Sequence, residues 1–277
     1  MIDYVKEMIK AFPEQEELNK KANTLAATHL FQTRDTDKLT QQQAKVFHHI
    51  VAKGLFLCMR SRADIQPMIS FLTTRVKVPD IDDWKKLIRM LRYLKGTVDL
   101  KTMLSASNAT TTGLSLKWHI DAAFAVHPDY KSHSGGSLTM GKGSINTIST
   151  KQKLNTKSST ESELVAVDNL SMHVLWTRHF VMAQGYKVKE NTVYQDNKSA
   201  ILLEKNSIHS MGKRSRHINI RYFFIKDRYD KKELTIEYCP TDEMIGDFFT
   251  KPLQGNKFKA MRERIMGLKR DNSIDGQ

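Results

Sequence analysis

Leu116-Lys-Trp-His-Ile-Asp121-Ala-Ala-Phe124 reads as a strand with a carboxylate, Asp121, set inside its apolar run. Aspartate is depleted in strands, because a short charged side chain fits poorly on a pleated, half-buried surface. A second strand, Thr192-Val-Tyr-Gln-Asp196-Asn, ends in the same way at Asp196. Glu163 and Asp247 stand near the openings of two further predicted elements. Carboxylates brought together from separate elements repel one another unless cations neutralise them. Four oxygen donors of this kind suit a pair of Mg²⁺ ions. Two ions about 3.5–4 Å apart would clamp the attacking and the leaving oxygen of a phosphodiester. The pattern points to a metal-dependent nuclease.

Working outward, Leu116–Phe124, Gly135–Met140 and Ser144–Ser149 form a predicted three-strand meander, with Gly141-Lys-Gly143 as a hairpin turn. A long helix over Ser159–Ala183 follows, ended by Gly185. Then come a strand at Thr192–Gln195, a helix at Lys198–Lys205 and a basic loop. A helix near Ile218–Tyr229, a strand at Leu234–Tyr238 and a terminal helix from Glu243 complete the series. Antiparallel strands followed by helix-linked strands describe an α/β fold, a mixed five-stranded sheet flanked by helices. Trp176, Phe180, Phe223 and Phe224 fall at helical spacing and are assigned to the core.

The small, polar run Ser105–Ser115 reads as a domain boundary. It separates a mostly helical region, 1–112, from the α/β domain, 113–268, with a polar tail at 269–277. Residues 1–40 read as polar and irregular, with a short helix at 3–11 ended by Pro13. A long helix from Thr40 carries Phe47, Ile50, Val51, Leu55, Phe56 and Met59, breaks near Ala63-Asp64, and is succeeded by another through Ile65–Leu72. Asp80 or Asp82 then caps a helix with Trp84, Leu87, Ile88, Leu91 and Leu94 on one face. Lys85, Lys86, Arg89 and Arg92 occupy the other face, where a solvated surface is the simplest expectation. Apolar faces in this region that lack a partner would be left exposed.

At the start of the long α/β helix, Ser158 and Glu161 have capping-box spacing, which gives Glu161 a structural task. Glu163 then falls in register with Val167, Leu170 and Val174, on the face turned to the sheet. A glutamate there is costly unless paired or metal-bound, so Glu163 is the preferred ligand. Taken alone, Asp196 reads as an ordinary N-cap and Asp247 as an acid complementing a first-turn dipole. Together with Asp121 and Glu163 they are harder to explain away.

Several stretches between 116 and 254 closely resemble the RNase H domain of Copia-type retrotransposon polyproteins. They are Asp121-Ala-Ala-Phe-Ala, Lys131-Ser-His-Ser-Gly-Gly, Lys151-Gln-Lys, Ser158-Ser-Thr-Glu-Ser-Glu163-Leu, Tyr194-Gln-Asp196-Asn-Lys-Ser-Ala, Arg216-His-Ile-Asn-Ile-Arg-Tyr and Tyr238-Cys-Pro-Thr…Asp247-Phe-Phe-Thr-Lys-Pro-Leu253. Upstream, Arg62-Ala-Asp-Ile and Asp83-Trp-Lys-Lys-Leu-Ile-Arg-Met-Leu-Arg-Tyr-Leu-Lys-Gly-Thr97 resemble the segment that joins that family's reverse transcriptase to its RNase H.

The resemblance implies an RNase H-like fold preceded by a thumb/connection-like helical region. It implies hydrolysis of the RNA strand of an RNA–DNA hybrid with two Mg²⁺ ions, for which Mn²⁺ would substitute. By motif position Asp121, Glu163, Asp196 and Asp247 would be the ligands, Asp121 bridging both ions. Asp196 and Asp247 would serve the ion that activates water, and Glu163 the ion at the leaving 3′ oxygen. Lys151, Lys153, Asn197, Ser199 and the basic run Lys213, Arg214, Arg216 and His217 would contact the nucleic acid. The loop Pro240–Asp247 lacks the histidine that some relatives carry there. His119, His127 and His133 are read as surface or satisfied histidines.

Composition agrees with a polyanionic partner. The net charge is +14 and the pI about 9.6, with 18 basic against 12 acidic residues in 1–112 and 26 against 18 thereafter. Cys58 and Cys239 are too few and too scattered for a metal knuckle or a disulfide framework, which favours a reducing intracellular compartment. Family resemblance would place the protein in a cytoplasmic virus-like particle or the nucleus. There is no signal-peptide pattern and no run apolar enough for a membrane span.

No Tyr-x-Asp-Asp polymerase signature, integrase zinc pattern or protease Asp-Ser/Thr-Gly motif occurs. The expectation is a C-terminal piece of a polyprotein whose partner is the upstream polymerase part. A catalytically idle nucleic-acid-binding remnant, and a related two-metal nuclease or transposase acting on DNA, are the competing readings.

Overall fold

The computed structural model describes residues 1–106, 113–205 and 216–268, with only the backbone described at 216–220. Lys213 and Arg214, the side chains of Arg216 and His217, and the tail at 269–277 lie outside the described residues. The helical part runs through α1 (Ile2–Lys10), a 3-10 turn at Gln15–Asn19, α2 (Gln41–Arg60), a second 3-10 turn at Ala63–Ile65, α3 (Gln66–Thr73) and α4 (Ile81–Lys95). Then follow β1 (Ser105–Ala106), β2 (Leu114–Ala123), β3 (His133–Thr139), β4 (Gly141–Lys142), β5 (Asn146–Lys151), α5 (Ser159–Ala183) and β6 (Val188–Gln195). Helices α6 (Lys198–Lys205) and α7 (Arg216–Asp230), strand β7 (Thr235–Tyr238), and helices α8 (Asp247–Thr250) and α9 (Gly255–Ile265) complete the chain. No helix among the described residues is long and apolar enough to cross a membrane.

Local signals set the helix starts. Thr40 and Gln43 form a reciprocal capping box at α2, and Asp80 and Asp83 form another at α4. Arg75 reaches both aspartates at 2.9 Å, tying the end of α3 to the start of α4. As the spacing predicts, Trp84, Leu87, Ile88, Leu91 and Leu94 are buried.

Two expectations for this part are corrected. Residues 1–40 are not merely polar: Val5, Met8, Phe12, Leu18, Leu25, Leu30 and Phe31 are all buried in the helical core. Val5, Met8 and Phe12 follow the helical spacing of α1, whereas Leu18, Leu25, Leu30 and Phe31 enter from turns, where no periodic face announces them. In α2 the predicted stripe holds only through Val51. Leu55, Phe56 and Met59 are exposed, and Gly54, Leu57 and Cys58 face inward instead.

A fully buried ion pair sits between α2 and α3. Arg62 makes two 2.8 Å hydrogen bonds to Asp64, Tyr93 Oη donates to Asp64 at 2.6 Å, and Arg62 also donates to the carbonyl and hydroxyl of Thr97. Such a pair is tolerated in an apolar core only when its remaining hydrogen-bonding capacity is met, as here.

The sheet has the order β5-β3-β2-β6-β7. Strands β2, β3 and β5 are antiparallel neighbours, whereas β6 runs parallel to β2 and β7 parallel to β6. Two adjacent glycines on β3 let helices approach both faces. A Cβ on Gly136 would lie 2.1 Å from Leu170 of α5, and one on Gly135 would lie 2.6 Å from Thr250 of α8. The core on the α5 side joins Leu116, Trp118 and Ile120 of β2 to Leu164, Val167, Leu170 and Val174 of α5 and Ile225 of α7.

Beyond the sheet, the predicted terminal helix is split into α8 and α9 by Pro252 and the left-handed Gly255 (φ +56°). Helix α8 stays on the face of the sheet, and both pieces pack with the N-terminal helices. Phe248, Phe249, Phe258, Met261 and Ile265 share one core with Phe12, Phe47 and Leu91.

One further expectation changes. Trp176, Phe180 and Phe223 are not core: Trp176 is 63% exposed and stacks on Phe180 with ring centres 5.0 Å apart. Helical spacing alone does not say which face of a helix meets the sheet. Phe224 is partly buried against the sheet core. Of the two readings of His119, His127 and His133, the surface one does not hold, since all three are buried, and the satisfied one holds for His127 and His133. His133 links His127 Nε2 (3.0 Å) to Ser149 Oγ (2.8 Å), and Phe31 from the helical part packs against both imidazoles. Burial lowers the pKa of His127 to about 4, with Lys151 adding to the effect and Asp129 opposing it.

Candidate active site

The parallel pair β2–β6 ends where α5 begins its passage over the sheet, and three acids converge there. Asp121 lies near the end of β2, opposite Gly135 of β3. Asp196 follows the last residue of β6. Glu163 sits in the first turns of α5, whose N-cap Ser158 accepts a hydrogen bond from Glu161 N at 3.1 Å. The Glu161 carboxylate reaches back to Lys157 N at 2.7 Å, so its task is capping, as its spacing predicts. Carboxylate oxygens of Asp121, Glu163 and Asp196 all lie within 4.8 Å of one another.

Asp121 is 1% and Glu163 5% exposed, so little water screens their repulsion. Burial pushes the Asp121 carboxyl up to about 6. Lys251 opposes that shift, while Asp247 and Asp196 add to it. Glu163 is raised well above the ordinary range, first by burial and then by Asp121 and Asp196. Its Oε2 is buried with no hydrogen-bond partner. An orphaned carboxylate oxygen beside two more carboxylates is costly as it stands. Its donors are hard anionic oxygens, which fit a divalent cation such as Mg²⁺ or Mn²⁺.

Asp247 is placed differently. It opens α8, which lies directly on β2: a Cβ on Gly246 would fall 2.8 Å from Asp121 Cβ. Its carboxylate is held by Lys251 Nζ, one helical turn on, and by Lys257 Nζ at 3.1 Å. Lys251 Nζ also lies 3.6 Å from Asp121, and Thr250 Oγ1 donates to the same aspartate. Burial lowers the Lys251 pKa, but Asp121 and Asp247 outweigh it and hold the ammonium charged. Asp247 thus borders the three-acid cluster through a shared ammonium and is not a member of it.

The ordinary reading of Asp196 as an N-cap does not hold. Asn197 Oδ1 takes that position, accepting Ala200 N at 3.1 Å, which leaves Asp196 with a 2.9 Å hydrogen bond from Thr241. Ser199 is exposed on α6. Lys153 is exposed, whereas Lys151 is engaged 2.8 Å from Asp129. Sequence reading missed Thr250, Lys251, Lys257 and Thr241. The spacing of Asp247 and Lys251, four apart on a helix, was a usable signal. Lys257 and Thr241 are brought in by the tertiary fold alone.

Strand order, the parallel β2–β6 pair and acids at its end define an RNase H-like fold. The sequence comparisons carry this to a family. Over 252 residues the chain is 29% identical to the retrovirus-related Pol polyprotein from transposon TNT 1-94 of Nicotiana tabacum, covering 89% of this chain and 18% of that one. Over 219 residues it is 32% identical to the corresponding polyprotein from transposon RE2 of Arabidopsis thaliana, covering 78% and 15%. The chain is a homologue of the RNase H region of Copia-type transposon Pol polyproteins, and spans less than a fifth of the length of these relatives. No protein-family model matches it.

Among solved structures, a foamy viral protease-reverse transcriptase in complex with RNA/DNA hybrid gives a TM-score of 0.40 at 16% identity, over 79% of this chain and 29% of that one. RNase H1 from Halobacterium salinarum gives 0.31 at 11% identity, over 59% and 99%. At these scores the likenesses carry no argument.

Proposed function

We propose that this chain is the ribonuclease H of a Copia-type retrotransposon polyprotein, hydrolysing the RNA strand of RNA–DNA hybrids with two divalent cations. The observation that carries the reading is the cluster of Asp121, Glu163 and Asp196, drawn from three elements to within 4.8 Å and left with a buried, unpartnered oxygen. Asp121, Glu163 and Asp196 would hold the cations, and Asp247, now held by Lys251 and Lys257, would be the fourth ligand. Bound divalent ions lower the pKa of the attacking water and stabilise the leaving 3′ oxygen.

The protein's own residues do the rest. Thr250 and Thr241 orient Asp121 and Asp196 by donating to them. Lys251 offsets the carboxylate charge and keeps it from spreading the cluster. Lys151, Lys153, Asn197, Ser199, Lys213, Arg214, Arg216 and His217 are the proposed contacts to the hybrid, which is distinguished by its 2′-hydroxyls across the minor groove. The upstream polymerase part of the polyprotein is the proposed protein partner, in a virus-like particle or the nucleus.

The test is cleavage of an end-labelled RNA–DNA hybrid in Mg²⁺ and in Mn²⁺, beside Asp196→Asn. Metal-dependent cutting of the RNA strand alone, lost in the variant, is the expected result. Binding without cutting in either metal would favour the idle remnant. Cutting of duplex DNA would favour the related nuclease.

A further inference from the structure

The basic face of α4 is not the solvated surface that its sequence suggests. It forms one wall of a cavity of about 270 Å³, closed on the other side by the segment from Lys21 to Arg34 and floored by Met68 of α3. Six cationic side chains line it, against the single carboxylate of Asp82. Three of the six are engaged. Lys86 pairs with Asp82 at 2.9 Å and donates to the carbonyl of Gln32, Arg34 stands 3.9 Å from Asp82, and Arg92 pairs with Glu17 at 2.6 Å.

The other three, Lys21, Lys85 and Arg89, have no carboxylate partner among the described residues. Arg89 is the informative one. Its Nη2 donates to Thr24 Oγ1 at 2.8 Å, while its Nε is buried with no partner. Its pKa is lowered by burial and then by Arg92, so its charge is both desolvated and repelled. A surface arginine relieves such a position by turning into water; this one is held in a concave, like-charged lining by its bond to Thr24.

We propose that this cavity is a phosphate-binding site, with Arg89, Lys85 and Lys21 as its recognition groups. Arg89 lines the cavity with a planar guanidinium, whose donor geometry suits the oxygens of a phosphate better than a spherical anion. Lys21 and Lys85, exposed at the rim, supply the point charges that draw the anion in. The volume admits a phosphate or a pyrophosphate and leaves no room for a duplex, so nucleic acid would enter as a backbone phosphate at the mouth. The ligand chemistry is the same whether it belongs to a free pyrophosphate or to a nucleic-acid strand. The inference stands apart from the carboxylate cluster and needs no metal.

The experiment uses the full 277-residue chain in EDTA, so that the acidic cluster takes no part. Calorimetric titration with pyrophosphate, and anisotropy of a labelled RNA–DNA hybrid across a salt series, are measured for the native chain, Arg89→Met and Lys85→Met. A free ligand predicts that pyrophosphate binding weakens roughly ten-fold or more in both variants, with hybrid affinity unchanged. A backbone phosphate predicts that the slope of log K against log salt becomes shallower by about 1 for each contact removed. Lys85 is exposed, so Lys85→Met keeps the test open if Arg89→Met impairs folding. Unchanged pyrophosphate affinity and unchanged salt slope in Lys85→Met and in folded Arg89→Met would overturn the proposal.

Discussion

Asp64 in the helical part and Glu163 at the end of the sheet are both almost wholly buried acids, and their surroundings differ in kind. Asp64 has an arginine fork and a tyrosine hydroxyl on it, every oxygen engaged. Glu163 has one oxygen with nothing on it, and its nearest charged neighbours include two more carboxylates. The first arrangement is closed and needs nothing from outside the chain. The second is stable only because the rest of the fold carries its cost, and a bound cation would relieve it. Buried charge of the first sort specifies structure; buried charge of the second sort marks where the chain expects a ligand.

The comparison can be broken most severely on the helical side. Asp64→Asn should strand the Arg62 guanidinium in the core and lower unfolding free energy by about 3–5 kcal/mol, read from urea denaturation. A loss below about 1 kcal/mol would mean that the pair is not as closed as its hydrogen bonds suggest.

The histidine pair at the seam between the two parts should give the next largest effect. Both imidazoles are held neutral, with folded pKa values below the ordinary 6.5. Their contribution is therefore complete above pH 6.5 and is lost as the pH falls. For His127, whose pKa is about 4, the loss amounts to roughly 3 kcal/mol once the pH is below that value. His127→Gln should flatten this acid limb of the stability curve; an unaltered limb would assign it to other groups.

On the sheet side the sign should reverse. Asp121→Asn removes one of three repelling carboxylates and should raise stability by about 1 kcal/mol in EDTA. The same substitution should abolish the rise in melting temperature that Mg²⁺ gives the native chain. A variant less stable than native in EDTA would contradict the view that this cluster is strained as it stands. The smallest effect is expected at Ser158→Ala, which removes the N-cap of the helix carrying Glu163. A loss of about 1 kcal/mol is expected there, with metal-dependent stabilisation retained.

The site was legible where its residues broke a local rule. Asp121 is an acid inside a strand, Asp196 one that directly follows another, and Glu163 an acid on a helix face otherwise made of Val167, Leu170 and Val174. The capping residues Asp80 and Ser158 were legible because their partners lie three residues away. What could not be read depends on distance along the chain. Lys257 reaches Asp247 only because α9 folds back, and Leu18, Leu25 and Phe31 reach the helical core through turns that have no period. The exposed Trp176 and Phe180 show the converse limit, since their spacing is that of a buried stripe and only the position of α5 on the sheet decides otherwise.

The helical core opens with Val5 and closes with Met266, so its first and last contributors lie near the two ends of the described chain. Met103 N and Ser144 N donate to the carbonyls of Met266 and Ile265 at 2.8 Å, and Gly267 lies against Met103 where no side chain would fit. During synthesis the N-terminal helices leave the ribosome long before the segment that completes them. They must wait, with apolar surface uncovered, while the whole sheet is made. The α8 segment, made after the sheet, also carries Asp247 to the edge of the acidic cluster. Completion of the scaffold and completion of the site thus depend on one segment of the chain.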